Sequence, residues 1–342
     1  MTDGSSSVIG SPAQESGAPA SHRSRWLRSV RSLRHADTFG LLLFLIALGT
    51  FFSLKSPYFL AWSNFSAIAV AMSVYLTIAC VQTIVLVSGG VDLSIMSTLA
   101  LSGLAVQWAL TQGWPPVLVL FGGLAIGVAV GLTNALIIVG VGVNPLVATI
   151  GTAFAVRGIA LISTGGVPAD YFTDTWLNEI GNGTVLGVRT PIVIALSVFV
   201  VVLLAMRFTR FGSRVYAIGG SEYATRMSGI SVKRLRTLVY VLSGMSAALG
   251  GFLLTSMNGT SFPMAGYGEE LLVLGAVIIG GTGLAGGRGT VFGTLLGVLL
   301  LGTLQNGFNL IGVQSYWQTF IQGIILIVAV TQDEIRRRAR GR

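Results

Sequence analysis

Few side chains in this sequence can do ionic or acid–base chemistry away from the chain ends. The candidates are Asp92 and Ser94 in SGGVDLS (88–94), Arg157 in NPLVATIGTAFAVRGIALISTGG (144–166), the adjacent pair Glu269 and Glu270, and Glu222 with Arg226 in FGSRVYAIGGSEYATRMSGISVKRLR (211–236). An isolated carboxylate or guanidinium between apolar residues can cap a helix, pair with an opposite charge, carry a proton or line a polar path. Other chemistries lack their residues. His22 and His35 both lie near the N-terminus, and Cys80 is the single cysteine, so neither a metal cluster nor a histidine-based nucleophile is expected in the body of the chain. The only lysines, Lys55 and Lys233, do not follow the glycine that a phosphate-binding G-x-x-x-x-G-K-[ST] loop requires. The chain is therefore expected to bind no metal or cofactor and to have no ATPase or other catalytic site.

The elements that position these residues must be membrane helices. Of 342 residues, 53% are hydrophobic and only 10% charged, with a mean hydropathy of +0.80. A soluble surface needs far more polar cover. The net charge of +9 does not indicate nucleic acid, because the basic residues flank apolar runs, as in proteins oriented in a bilayer.

A bilayer core takes roughly 20 apolar helical residues to cross. Apolar runs at 39–54, 65–87, 95–111, 117–139, 144–164, 190–206, 237–257, 271–287, 290–311 and 315–331 predict an all-α polytopic membrane helix bundle of about ten transmembrane helices. An even count puts both termini and the 207–236 segment on one side. That side then holds 18 of the 21 Lys and Arg residues, with Lys55 and Arg189 opposite and Arg157 inside a span. Positive residues favour the cytoplasm, so both termini are expected there. The domain reading follows: residues 1–38 as a disordered basic cytoplasmic tail, 39–331 as the transmembrane domain with a cytoplasmic loop at 207–236, and 332–342 as a second basic tail. Glycines spaced at four residues (Gly123, Gly127 and Gly131; Gly293 and Gly297) predict close helix–helix contact.

Each candidate carries two readings at this stage. Asp92 and Ser94 either line a broken helix beside a translocation path or cap the helix that follows Gly89-Gly90. Arg157 either faces a polar path or makes a structural pair or snorkels. Asp170, Asp174 and Glu179, with Tyr171, Phe172 and Trp176, fall on an outer loop, as do Glu269 and Glu270; aromatic residues there anchor the lipid interface or receive a soluble partner. In the 211–236 segment, Gly219-Gly220 lead into a short helix with Ser221 as N-cap, Glu222 in its first turn and Gly229 at its end.

That segment resembles the cytoplasmic coupling loop of the permease subunits of ribose-type ABC importers. The pattern T-x-x-G-x-x-x-Y-A-x-G-G-N-x-x-A-A-x-x-S-G-I is matched at Thr209, Gly212, Tyr216, Ala217, Gly219, Gly220, Ala224, Ser228, Gly229 and Ile230. VSGGVDLSIMSTLALSG, the Arg157 stretch and GYGEELLVLGAVIIGGTGLAGGRGTVFGTLLG are similar to further blocks of that family, in the same order over residues 64–331. Ser221, Thr225 and Leu272 depart from its usual Asn, Ala and acidic residue. The resemblance implies a multi-pass protein of the bacterial cytoplasmic (inner) membrane and a translocation pathway for a monosaccharide or related small polar solute. Its implied partners are cytoplasmic ATPase subunits that use ATP and Mg, an extracytoplasmic sugar-binding protein, a second permease copy or paralogue, and the lipid bilayer. It implies coupling roles for Gly219, Gly220, Ser221, Glu222, Ala224, Arg226 and Gly229, pathway roles for Asp92, Ser94 and Arg157, and receptor contact for Glu269 and Glu270. The rival readings are an ion-driven secondary transporter and an ABC permease for branched-chain amino acids or nucleosides.

Overall fold

The computed structural model describes residues 22–172 and 175–340; Asp174 falls outside them. Thirteen helices follow in order among the described residues: α1 (His22–Lys55), α2 (Trp62–Val87), α3 (Ile95–Thr111), α4 (Pro116–Ala135), α5 (Pro145–Thr164), α6 (Trp176–Asn182), α7 (Thr190–Phe208), α8 (Arg210–Gly220), α9 (Glu222–Met227), α10 (Val232–Asn258), α11 (Glu270–Ile279), α12 (Val291–Leu310) and α13 (Ser315–Arg340). Six are long and apolar enough to cross a membrane: α2, α4 with its π-helical extension Leu136–Val141, α5, α7, α10 and α12. Three apolar helices are shorter, spanning Phe39–Lys55, Ile95–Thr111 and Glu270–Ile279.

Local chemistry sets many of the helix ends. Proline stands in the first turn of α4, α5 and α7, where its missing N–H costs no helical bond. The Asn144 side chain accepts the Leu146 N–H at 2.9 Å to cap α5, and Thr290 does the same for Gly293 at the start of α12. Gly165 and Gly259 close α5 and α10 in the left-handed region.

Helix α10 is the hub. It packs against α2, α3, α4 and α6. The glycine spacing explains one seam: a Cβ on Gly127 would strike the Gly244 carbonyl, and one on Gly131 would strike the Tyr240 carbonyl. A second seam joins α11 to α12, where Gly293 and Gly297 lie against the Gly280 and Ala276 carbonyls. Backbones approach here because no side chain stands between them.

Two expectations need correction. The run 271–287 is not one span: α11 ends at Ile279, and the chain turns through Gly281, Gly286, Gly287 and Gly289, all at positive φ. So dense a glycine stretch favours turn geometry over helix. The architecture is not wholly α-helical, since Thr184–Val185 pairs with Val188–Arg189 in a hairpin whose Leu186-Gly187 turn has positive φ at both residues. Helix α1 begins at His22 and α13 runs to Arg340, with residues 1–21 of the first tail and 341–342 of the second outside the described residues.

Candidate coupling segment and buried polar network

Thr209 ends α7 and caps α8, its hydroxyl accepting from Phe211 N at 3.2 Å. Ser221 then breaks the helix in an extended conformation, and its hydroxyl accepts the Ala224 N–H at 3.2 Å to start α9. Gly229 closes α9 at φ +76°, with Gly229 N on the Arg226 carbonyl and Ile230 N on that of Thr225. The capped helix expected from the sequence is therefore present, with one difference. Gly219 and Gly220 are the last turn of α8 rather than a lead-in loop.

The two glycines have unequal surroundings. A Cβ on Gly219 would collide with the Val87 carbonyl and the Gly287 N–H, whereas one on Gly220 would meet nothing within 4 Å. Gly287 N donates to Val87 O at 2.8 Å, Gly286 abuts Gly89, and Tyr216 Oη donates to Gly289 O at 2.8 Å. The end of α8 thus meets the end of α2 and the turn before α12 at one joint. Gly219 lets these backbones touch, so its close contact lies within the chain.

On α9, Glu222 bridges two cations. Its carboxylate accepts from Arg226 at 2.8 Å and from Arg236, in the first turns of α10, at 2.7 Å. Thr225 is buried, while Tyr223 and Met227, four residues apart, are 73% and 67% exposed. Neither Tyr223 nor Met227 was singled out from the sequence. The signal was an apolar i, i+4 pair inside an otherwise polar segment.

Asp92 lies in the turn between α2 and α3 and is 1% exposed. Its Oδ1 accepts from Ser94 N at 2.9 Å and Ser94 Oγ at 2.6 Å; its Oδ2 accepts from Ser243 Oγ at 2.6 Å. Ser243 in turn accepts from Gln82 Nε2 at 2.9 Å, and Ser94 from Asn134 Nδ2 at 2.8 Å. A carboxylate surrounded by donors is the arrangement a buried charge requires. The network joins α2, α4 and α10 to the turn before α3, and the bond to Ser94 N is the turn-capping contact anticipated for Asp92. Gln82, Asn134 and Ser243 were missed because single polar residues in apolar helices read as ordinary packing.

Arg157, on α5, donates through Nη1 to the carbonyls of Pro263 and Ala265 at 2.6 and 3.0 Å, with its guanidinium 5.8 Å from the Tyr267 ring centroid. It holds the non-helical segment between α10 and α11. Glu269 ends that segment, and its Oε2 accepts from Tyr75 Oη at 2.7 Å. Tyr75 is thirteen residues past the first residue of α2, about 20 Å along its axis. Glu269 therefore sits beside the middle of a long apolar helix, rather than on an outer loop as expected. The ten-residue length of α11 is the physical reason, since its N-terminus begins inside the bundle. Glu270 opens α11 beside it. Irregular backbone at such depth must be covered by protein or line a watery cavity.

A cavity of about 400 Å³ lies between the turn after α2, the segment joining α4 to α5, α9 and the first turns of α10, lined among others by Ser88, Gly89, Gly90, Asn144, Glu222, Arg226, Lys233, Arg236 and Tyr240. Asp92, Arg157 and Glu269 do not line it. No group of three or more metal-ligating side chains occurs among the described residues.

Six long apolar helices around a buried polar network fit a multi-pass membrane protein. The chain belongs to the family described as the permease component of the branched-chain amino acid transport system, whose model matches residues 64–330. It is 39% identical over 282 residues to the ribose import permease protein of Bacillus subtilis, covering 82% of this chain and 88% of that one. The ribose import permease protein of Escherichia coli K12 is 36% identical over 311 residues, 90% and 94% of the two chains. An L-arabinose ABC transporter permease protein of Azospirillum brasilense is 34% identical over 301 residues, 88% of each chain. No solved structure matches.

Proposed function

We propose that this chain is the membrane subunit of an ATP-binding cassette importer and forms the path for a monosaccharide. The observation that carries the reading is α9: a capped helix between amphipathic α8 and the start of α10, with Tyr223 and Met227 bare and Glu222 tied to α10. A helix presented in this way needs a soluble partner, and the chain's own lysines make no P-loop. Cytoplasmic ATPase subunits supply both the partner and the ATP and Mg chemistry. The sugar import permeases to which the chain is similar support a monosaccharide over the amino acid of the family's description.

In this reading the bundle crosses the bacterial cytoplasmic membrane about ten times, counting the shorter helices and α13 and taking α11 with the irregular segment before it as one broken span, with both termini inside. Closure of the ATPase dimer pushes α9. The push passes through Glu222–Arg236 to α10, and through Gly219 to the joint of α2 and the turn before α12. Helix α10 carries Ser243, so its displacement strains the Asp92–Ser94 network and shifts the path between inward and outward access. Arg157 lines that path with Asp92 and Ser94, and an extracytoplasmic sugar-binding protein, for which Glu269 and Glu270 are the sequence's candidates, delivers solute to the opposite face. A second copy or a related permease completes the path.

Purification from native membranes in mild detergent tests this directly. An ATPase bearing a P-loop should accompany the chain, and alanine at both Tyr223 and Met227 should release it. Recovery of the chain alone, with the two-alanine variant behaving identically, would favour a secondary transporter.

A further inference from the structure

The cavity beside α9 shares Glu222 and Arg236 with the coupling scheme, and its lining is selective. Tyr240 reaches it from about 12 Å along α10, eight residues past Val232. Tyr240 is 2% exposed; its hydroxyl oxygen faces the Val91 backbone N–H, but among the described residues it donates to no acceptor. A buried donor without an acceptor costs free energy unless something else occupies the site. The volume of about 400 Å³ falls within the rough 300–1,000 Å³ range of small-ligand sites.

The charges on the wall decide the ligand. Arg226 and Arg236 flank the Glu222 carboxylate at 2.8 and 2.7 Å, so donors and an acceptor stand side by side. A vicinal diol uses both. Lys233 stands on the same wall, so a phosphate or other anion would meet three basic groups but leave the Glu222 carboxylate unused, whereas a diol engages both kinds of group. The Ser88 hydroxyl and the turn at Gly89 and Gly90 complete a polar rim facing largely apolar Ile138 and Val139.

We infer that this cavity is the last station of the imported solute, a binding site for a neutral polyhydroxylated ring with Tyr240, Glu222 and Arg236 as its polar contacts. The inference rests on the importer reading above. Glu222 then serves two masters: solute hydroxyls in the cavity compete with Arg226 and Arg236 for the carboxylate that ties α9 to α10. Accumulated solute on the cytoplasmic side loosens α9 and slows further import.

The test uses the complete importer, with its ATPase and receptor, in proteoliposomes whose lumen is the cytoplasmic side. The probe is whichever of D-ribose, D-allose and L-arabinose the vesicles accumulate with ATP. Preloading the lumen with that sugar should slow uptake. In Tyr240→Phe the half-inhibiting concentration, measured against the variant's own unloaded rate, should rise roughly five- to tenfold, as expected for one lost hydrogen bond. An unchanged half-inhibiting concentration, or no slowing in vesicles that do transport, would overturn the site and leave the importer intact. Slowing by luminal inorganic phosphate but not by sugar would overturn the polyol assignment. Vesicles without any ATP-driven uptake would sink both readings. Should the variant fail to assemble, hydrogen exchange on the unaltered complex decides: millimolar sugar should protect residues 87–91 and 222–227, and equal exchange with and without it contradicts the site.

Discussion

Gly219 and Gly220 are neighbours in sequence and opposites in space. Replacing Gly219 by alanine drives a methyl group into the Val87 carbonyl and the Gly287 amide, and backbone atoms cannot move aside as a flexible side chain does. We expect a cost of about 1–3 kcal/mol, seen as lower yield of folded protein and a lower melting temperature. Gly220→Ala should be neutral in the same assay, and equal loss from both would remove the joint from the account. Asp92 offers a second contrast. Asparagine there keeps an acceptor for Ser94 but presents a donor where Ser243 now donates, so Asp92→Asn should cost about 1–3 kcal/mol in thermal unfolding. An unchanged melting temperature would argue that the network does not hold the helices together. The glycine pair and Asp92 were both visible in the sequence. Which glycine faced inward was not, because that depends on the rotation of α8 against elements 130 residues away in sequence at Val87 and nearly 70 away at Gly287. The partners of Asp92 were equally hidden, since Gln82, Asn134 and Ser243 come from three separate helices.

At the scale of elements, α9 and α11 make the sharpest demands. Glu222→Arg breaks both of its ion pairs; such partly exposed pairs contribute roughly 0–1 kcal/mol each. Folding should therefore survive while ATP hydrolysis separates from uptake. Adding Arg236→Glu should restore much of the coupling, because it rebuilds the tie between α9 and α10 with reversed signs. Failure of the double variant to recover, with both proteins folded, would move the transmission elsewhere. Arg157 poses a geometric demand. Lysine keeps the positive charge but not the planar fork that reaches two carbonyls, so Arg157→Lys should loosen the segment 259–269 and raise its hydrogen exchange. Protection equal to that of the unaltered chain would reduce Arg157 to a bystander. Apolar length and charge located most helices well, with 95–111 matching α3 end to end. They failed at 271–287, where an apolar run dense in glycine contains a ten-residue helix and a turn. Hydropathy registers that such residues are buried in the bilayer or bundle, and it is blind to whether their backbone is helical.

For the whole molecule, the bundle, the buried polar network and the external helix make sense as one device that converts a push from outside the membrane into a rearrangement within it. Sequence reached this scale by charge asymmetry and by motif order, and both concern surfaces. The internal joint that would carry the push was out of reach, because it is built from backbone contacts at Gly219, Val87 and Gly287 that no side-chain pattern encodes. The most direct measurement is solute uptake into proteoliposomes containing this chain with its ATPase and receptor, with ATP or an ion gradient supplied separately. The account predicts that a monosaccharide accumulates only with ATP and only when all three components are present. Accumulation by this chain alone, driven by a proton or sodium gradient and indifferent to ATP, would contradict it.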